Sequence, residues 1–279
     1  MSEPLQEHRF SPRAGAKLGV APSLVLAMAA VFGLAAMVWP LFAAPGSAVT
    51  QDATAPWIFA LMLPVVLAVA LTQVAGGALD PRAIAMLGVL SAGVAAVRPF
   101  GAGAGGIETV FFLIILAGRV FGPAFGFLLG TTGLLTSAFL TGGIGPWLPY
   151  QMFAAAFIGL GAGLLPGARR ESGEPGPRTR TGRVGELGML VLYGIVVSLV
   201  FGLLLNLSFW PFTITTGALA YVPGADFSEN FGRLVLYSLA TSLGWDLGRA
   251  VTTTILLAVA GPLLLKIFRR AAKRARWEG

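Results

Sequence analysis

The chain has 279 residues, 56% of them hydrophobic and 11% charged, with a mean hydropathy of +0.82. Soluble domains carry about 25% charged residues, so a water-soluble fold is excluded and a polytopic membrane protein is implied. The net charge of +7 comes from Lys and Arg in candidate loops and tails, a pattern of membrane orientation and not of nucleic-acid binding. The absence of cysteine excludes disulfides, thiolate metal sites and a cysteine nucleophile.

A membrane helix needs about 20 apolar residues, with about 17 to 25 the usual range. Residues 1–20 read as a cytoplasmic tail. Apolar runs at 21–43 and 57–75 form an N-terminal transmembrane hairpin within 21–80; the first run lacks a convincing cleavage site and is expected to be retained. Further spans are predicted at 82–97, 107–121, 123–141, 146–165 and 187–209. The last apolar run, 231–266, is too long for one crossing. Leu243-Gly244 is expected to divide it into an outer segment at 228–243 and a crossing helix at 245–266. RRESGEPGPRTRTGR, residues 169–183, has the Pro, Gly, Ser and charge content of a flexible linker, and 269–279 is a basic tail. The result is an all-α bundle of eight spans with both termini on one side.

Loop charges agree with this count. The N-terminal tail, Arg82, Arg119, the 169–183 linker and the C-terminal end from Lys266 onward hold 16 of the 19 Lys and Arg residues, so their side is expected to be the cytoplasm of a multi-pass cell-membrane protein. Asp52, Asp226 and Glu229 fall on the opposite side, where Trp39, Trp57, Trp147 and Trp210 lie near the span boundaries. The basic run from Lys266 to Arg276 can also meet anionic lipid.

Small residues recur every fourth position in several spans. Gly122, Gly126 and Gly130 do so in one, Ala155, Gly159 and Gly163 in the next, Gly244 and Gly248 in the last, and Gly88, Ala92 and Ala96 in the third. Such ridges let helix backbones approach closely in lipid. Most are expected to pack inside the bundle, and the third span is the candidate for docking on a separate membrane partner.

Catalysis is not expected. The one histidine, His8, lies in the tail, no clustered carboxylates suggest a metal site, and no phosphate-binding loop occurs. Polar groups placed in lipid cost a few kcal/mol or more and are seldom there without a role. Here Arg98 closes the third span and is followed by the glycine-rich 99–106 and Glu108; Trp147, Tyr150 and Gln151 top the sixth span; Asn206 and Trp210 top the seventh; Trp245, Asp246 and Arg249 begin the last. Asp246 with Arg249, and Arg98 with Glu108, are equally readable as structural pairs. Their common depth nonetheless points to a small-molecule pocket on the non-cytoplasmic side, apolar and aromatic with a few convergent polar groups.

Four segments, AIAMLGVLSAGVAAVRPF (83–100), IILAGRVFGPAFGFLLGTTGLLTSAF (114–139), GIGPWLPYQMFAAAFIGLGAGLLPG (143–167) and SLGWDLGRAVTTTILLAVAGPLLLKIFRR (242–270), resemble the substrate-binding S component of energy-coupling factor transporters. The resemblance covers about two thirds of the chain. It implies a six-helix core at 81–268, to which this chain adds two N-terminal transmembrane helices. It also implies a vitamin-binding subunit without its own ATPase or cofactor, working with a membrane coupling protein and two cytoplasmic ATPases and toppling in the bilayer. The coupling protein would dock at Gly88, Ala92 and Ala96. Residues 98–151 are most similar to S components associated with cobalamin; biotin, riboflavin, thiamine precursors and queuosine precursors stay open. An ion-coupled secondary permease using Asp246, Arg249 and Glu108, and a membrane scaffold, are the alternatives.

Overall fold

The computed structural model describes residues 20–43, 64–65, 68–69, 71–72, 75, 81–101, 104–167 and 179–277. Among them there is no strand. Among the described residues, the helices with defined bounds are, in order, α1 (Val20–Val38), α2 (Pro81–Val97), α3 (Phe111–Phe121), α4 (Pro123–Thr141), α5 (Leu148–Leu164), α6 (Arg180–Phe209), α7 (Phe227–Thr241) and α8 (Leu243–Trp277). The expected span at 57–75 lies for the most part outside the described residues; the positions described within it are helical. Five helices, at Val20–Leu41, Pro81–Phe100, Pro123–Thr141, Arg180–Phe212 and Leu243–Lys273, are long and apolar enough to cross a membrane. α3 and α5 are shorter and apolar.

Two helices exceed their expected bounds for the same reason. α6 begins at Arg180, inside the expected linker, because the Thr179 hydroxyl accepts from the Gly182 N–H at 3.1 Å and caps the helix. α8 continues to Trp277, through most of the expected tail: Lys, Arg and Ala are good helix formers, and cations suit a helix C-terminus. Hydropathy reports where the lipid ends, whereas propensity and capping decide where the helix ends. The break before the last span falls at Ser242, just ahead of the expected Leu243-Gly244.

α3 sits at the centre, and every residue from Phe111 to Arg119 is buried. At eleven residues it rises only about 16 Å, against a hydrocarbon slab of about 30 Å. Its ends therefore have to be enclosed by protein, since bare backbone is not tolerated in lipid. The enclosure depends on a glycine seam. A Cβ on Gly118 or Gly126 would overlap the carbonyl of Gly159, one on Gly159 would overlap Gly126, and one on Gly130 would overlap the backbone of Ala155. The two expected ridges thus close on each other, α4 against α5, with α3 drawn into the same contact. Gly122, at φ 100°, makes the tight turn from α3 to α4 in a conformation that disfavours side chains.

α2 packs along α4, with Ser91 and Thr132 sharing a hydrogen bond of 2.8 Å and Val94 filling the space beside Gly133. Its other face, bearing Gly88, Ala92 and Ala96, is exposed. α1 joins the main core through Leu26, Ala29 and Met37, and Gly33 accommodates the ring of Phe153 from α5.

Substituting Gly159 with Leu should destabilise the protein by about 2–3 kcal/mol, the usual cost of overpacking, read as loss of denaturation midpoint in detergent. Gly88→Ala, where no heavy atom lies within 4 Å of the new methyl group, should stay within about 0.5 kcal/mol of wild type. Equal effects of the two changes would remove the seam from its central place.

Candidate functional site: a polar band at one end of the bundle

Two polar layers divide the molecule. One holds Arg119, Glu186 and Arg269. Arg119 Nε donates to Glu186 Oε1 at 2.8 Å, its Nη1 donates to the carbonyls of Leu165 and Pro166, and Arg269 Nη2 donates to both Glu186 oxygens at 2.6 Å. Arg119 and Glu186 are only 4% and 7% exposed. This clasp ties α3, α5, α6 and α8 together.

The other layer gathers six of the expected site residues. Arg98, in the 3-10 turn after α2, donates from Nη2 to Gln151 Oε1 on α5 at 2.9 Å and from Nη1 to Ser137 Oγ on α4 at 3.4 Å. Asn206 on α6 donates to Ser238 Oγ at 3.0 Å and Ser242 Oγ at 2.7 Å; Ser242 donates in turn to Asp246 Oδ2 at 3.0 Å. Asp246 Oδ1 is paired with Arg249, and the carboxylate lies where any side chain at Gly202 would be. The Arg249 guanidinium sits over the Phe201 ring, 5.2 Å from its centroid, and Phe201 meets Phe111 edge-on. Asp246 lies in the first turn of α8, where a negative charge complements the helix dipole.

Glu108 stands on the segment of chain that links Arg98 to α3. The chain from Arg98 to α3 runs through a turn at Ala104–Gly106, with Gly105 at φ 59° and Gly106 at φ 77°. That turn lies directly on α8: a Cβ on Gly106 would overlap the Trp245 carbonyl, and one on Gly248 the Gly105 carbonyl. The expected glycine loop is thus a packing element, clamped to the start of the last helix. Thr109 Oγ1 donates to the Val97 carbonyl at 2.6 Å and pins the strand of chain that enters α3, and Glu108 Oε1 accepts from the Val110 N–H at 3.2 Å at the threshold of that helix. One helical turn below Arg249, the buried Thr253 hydroxyl has no hydrogen-bond partner among the described residues.

The aromatic residues do not join this band as a group. Trp210 is fully buried, but in a separate cluster with Leu41, Leu207, Leu234, Tyr221 and Tyr237, its indole donating to the Leu219 carbonyl at 2.7 Å. It anchors the loop after α6, and Tyr221 ties that loop to the Pro40 carbonyl beyond α1. Tyr150 is buried in the main core, edge-on to Phe209. Trp147 and Trp245 are 44% and 47% exposed. Sequence position fixes the depth of a ring, not the direction in which it points. Ser137, Ser238 and Ser242 were not anticipated; serines are common in membrane helices, and only their partners distinguish these three. Among the described residues no group of three or more His, Asp or Glu side chains could hold a metal ion.

No family model, curated protein or solved structure matches this chain.

Proposed function

We propose that the chain is a membrane-embedded substrate-binding subunit of the energy-coupling factor type, taking up a vitamin or related micronutrient, with cobalamin as the first candidate. The observation that carries this reading is the polar band at one end of the bundle, where Arg98 meets Gln151, Asn206 and Ser242 meet Asp246 and Arg249, and Glu108 stands at the N-terminal end of a half-length helix. Helix N-termini of this kind favour anionic groups. Asp246 and Arg98 are engaged by side-chain partners, whereas Glu108 accepts from the adjacent Val110 backbone N–H. A carboxyl at this depth without a side-chain partner is better explained by a ligand than by packing.

The exposed face of α2 supports the second half of the reading. Gly88, Ala92 and Ala96 present a smooth surface suited to close approach by a helix of a coupling protein. On this reading the Asp246 end faces outward and the Glu186 end, rich in Arg and Lys, faces the cytoplasm with both termini, where the two ATPases would join the coupling protein. The rival is an ion-coupled secondary permease, in which Asp246, Arg249 and Glu108 would be the coupling groups. A scaffold role gains from the closed pairing of Asp246 with Arg249.

Mass spectrometry of small molecules that co-purify with the protein, followed by calorimetric titration, tests the binding step. Arg98→Gln should weaken ligand affinity about tenfold or more, the value of a charge-assisted hydrogen bond, with little change in melting temperature. Ala92→Leu should abolish assembly with the coupling protein while leaving ligand affinity intact. Uptake into liposomes should require the coupling protein and ATPases. Uptake by this chain alone under a proton gradient would establish the permease instead, and failure to bind any of a vitamin panel would leave the scaffold.

A further inference from the structure

At the Glu186 end a groove of about 620 Å³ opens between the first turns of α6 and the last turns of α8. Arg180 and Arg183 line one wall, and Lys266, Arg270 and Lys273, spaced along one face of α8, line the other. The single carboxylate in the lining, Glu186, is already engaged by Arg119 and Arg269. Among the described residues those five cations have no hydrogen-bonded or ionic partner. The N-terminus of a thirty-residue helix adds its partial positive charge at the same place. Beneath the charged rim the lining turns apolar, with Val184, Leu187, Pro262 and Leu265.

Depth identifies the kind of occupant. Twenty residues separate Glu186 from Asn206 on α6, and twenty-three separate Asp246 from Arg269 on α8, about 30 and 34 Å of helix rise. The two polar layers thus stand about one hydrocarbon thickness apart, and the groove lies at the level of lipid headgroups. Its apolar floor continues onto the outside of the bundle, where Val184 and Leu263 are exposed. An occupant that uses both parts has an anionic end and an apolar end.

We propose that this groove binds the phosphodiester headgroup of an anionic glycerophospholipid. Arg180 and Arg183 grip the phosphate from α6, Lys266, Arg270 and Lys273 grip it from α8, and the acyl chains lie against Val184, Pro262 and Leu265. A soluble phosphate has no use for the apolar floor, and an acidic protein surface would leave it uncovered. The site is independent of the transport reading.

The test uses the full chain in a neutral detergent, with native mass spectrometry of bound lipid. Phosphatidylglycerol should be retained at least about tenfold more tightly than phosphatidylcholine with the same acyl chains. R180Q/R183Q should weaken phosphatidylglycerol roughly thirtyfold, the effect of two charges at the membrane surface, without changing phosphatidylcholine. If that variant loses its fold, K266Q/R270Q gives the same reading from the exposed side of the opposite wall. Equal retention of the two lipids by wild type, or unchanged selectivity in a folded variant, overturns the proposal. So does displacement of phosphatidylglycerol by equimolar glycerol 3-phosphate or an oligoglutamate peptide, which would assign the groove to a soluble anion or an acidic protein.

Discussion

The architecture rests on one constraint: α3 is too short to cross a bilayer, yet it lies at the centre of a bundle built for one. A half-length helix exposes unsatisfied backbone groups at membrane depth unless other protein covers them. Coverage requires neighbours at backbone contact, and only glycine at Gly118, Gly126 and Gly159 permits that approach. Once α3 is enclosed, its N-terminal end falls inside the bundle, and the 104–110 segment must descend to meet it. That segment carries Glu108 to the threshold of α3, where it accepts from the Val110 N–H, and lays Gly106 against the start of α8. A packing requirement at the glycine seam thus helps to set where the candidate site lies.

The charges at the two ends of the bundle are handled differently, which ranks them by role. Arg119, Glu186 and Arg269 satisfy one another with short, charge-assisted bonds, and removing one member of such a buried set typically costs about 3–5 kcal/mol. Their arrangement is that of a clasp. Asp246 resembles them, with one oxygen on Arg249 and the other on Ser242. Glu108 does not: its hydrogen bond from the Val110 N–H is local, and it forms no ion pair among the described residues. Arg98 is intermediate, with a firm bond to Gln151 at 2.9 Å and a weak one to the Ser137 hydroxyl at 3.4 Å.

Much of this was legible in the sequence, for identifiable reasons. Hydropathy located every described helix because lipid imposes a length and a composition on whatever crosses it. Four-residue spacing identified the α4–α5 seam because backbone contact requires small residues on one face of each helix. The depth of Arg98, Glu108, Gln151, Asn206, Asp246 and Arg249 could be read by counting residues along spans. Azimuth could not. Trp147, Trp210 and Trp245 stand near the same depth, yet one packs in a private cluster and two point outward, since direction depends on helix rotation against neighbours. The clasp was missed for a related reason. Arg119 reads as a loop charge from its linear neighbours and Glu186 carries no reading at all, and only the approach of α3, α6 and α8 turns them into a buried pair.

The same small-residue motif meets two fates in this molecule, and the difference bears on what α2 is for. On α4 and α5 the ridges are consumed by each other. On α2 the ridge at Gly88, Ala92 and Ala96 is left open, although the opposite side of the helix packs well through Ser91 and Val94. Glycine in a helix costs about 1 kcal/mol relative to alanine, and a lipid-facing surface gains nothing from it, since lipid accommodates any apolar shape. The packing of the described helices thus accounts for the small residues on α4 and α5 but not for those on α2, whose contact with α4 is made by the opposite side. Spacing alone therefore does not decide whether a small-residue ridge is buried; a matching ridge on a neighbouring helix does.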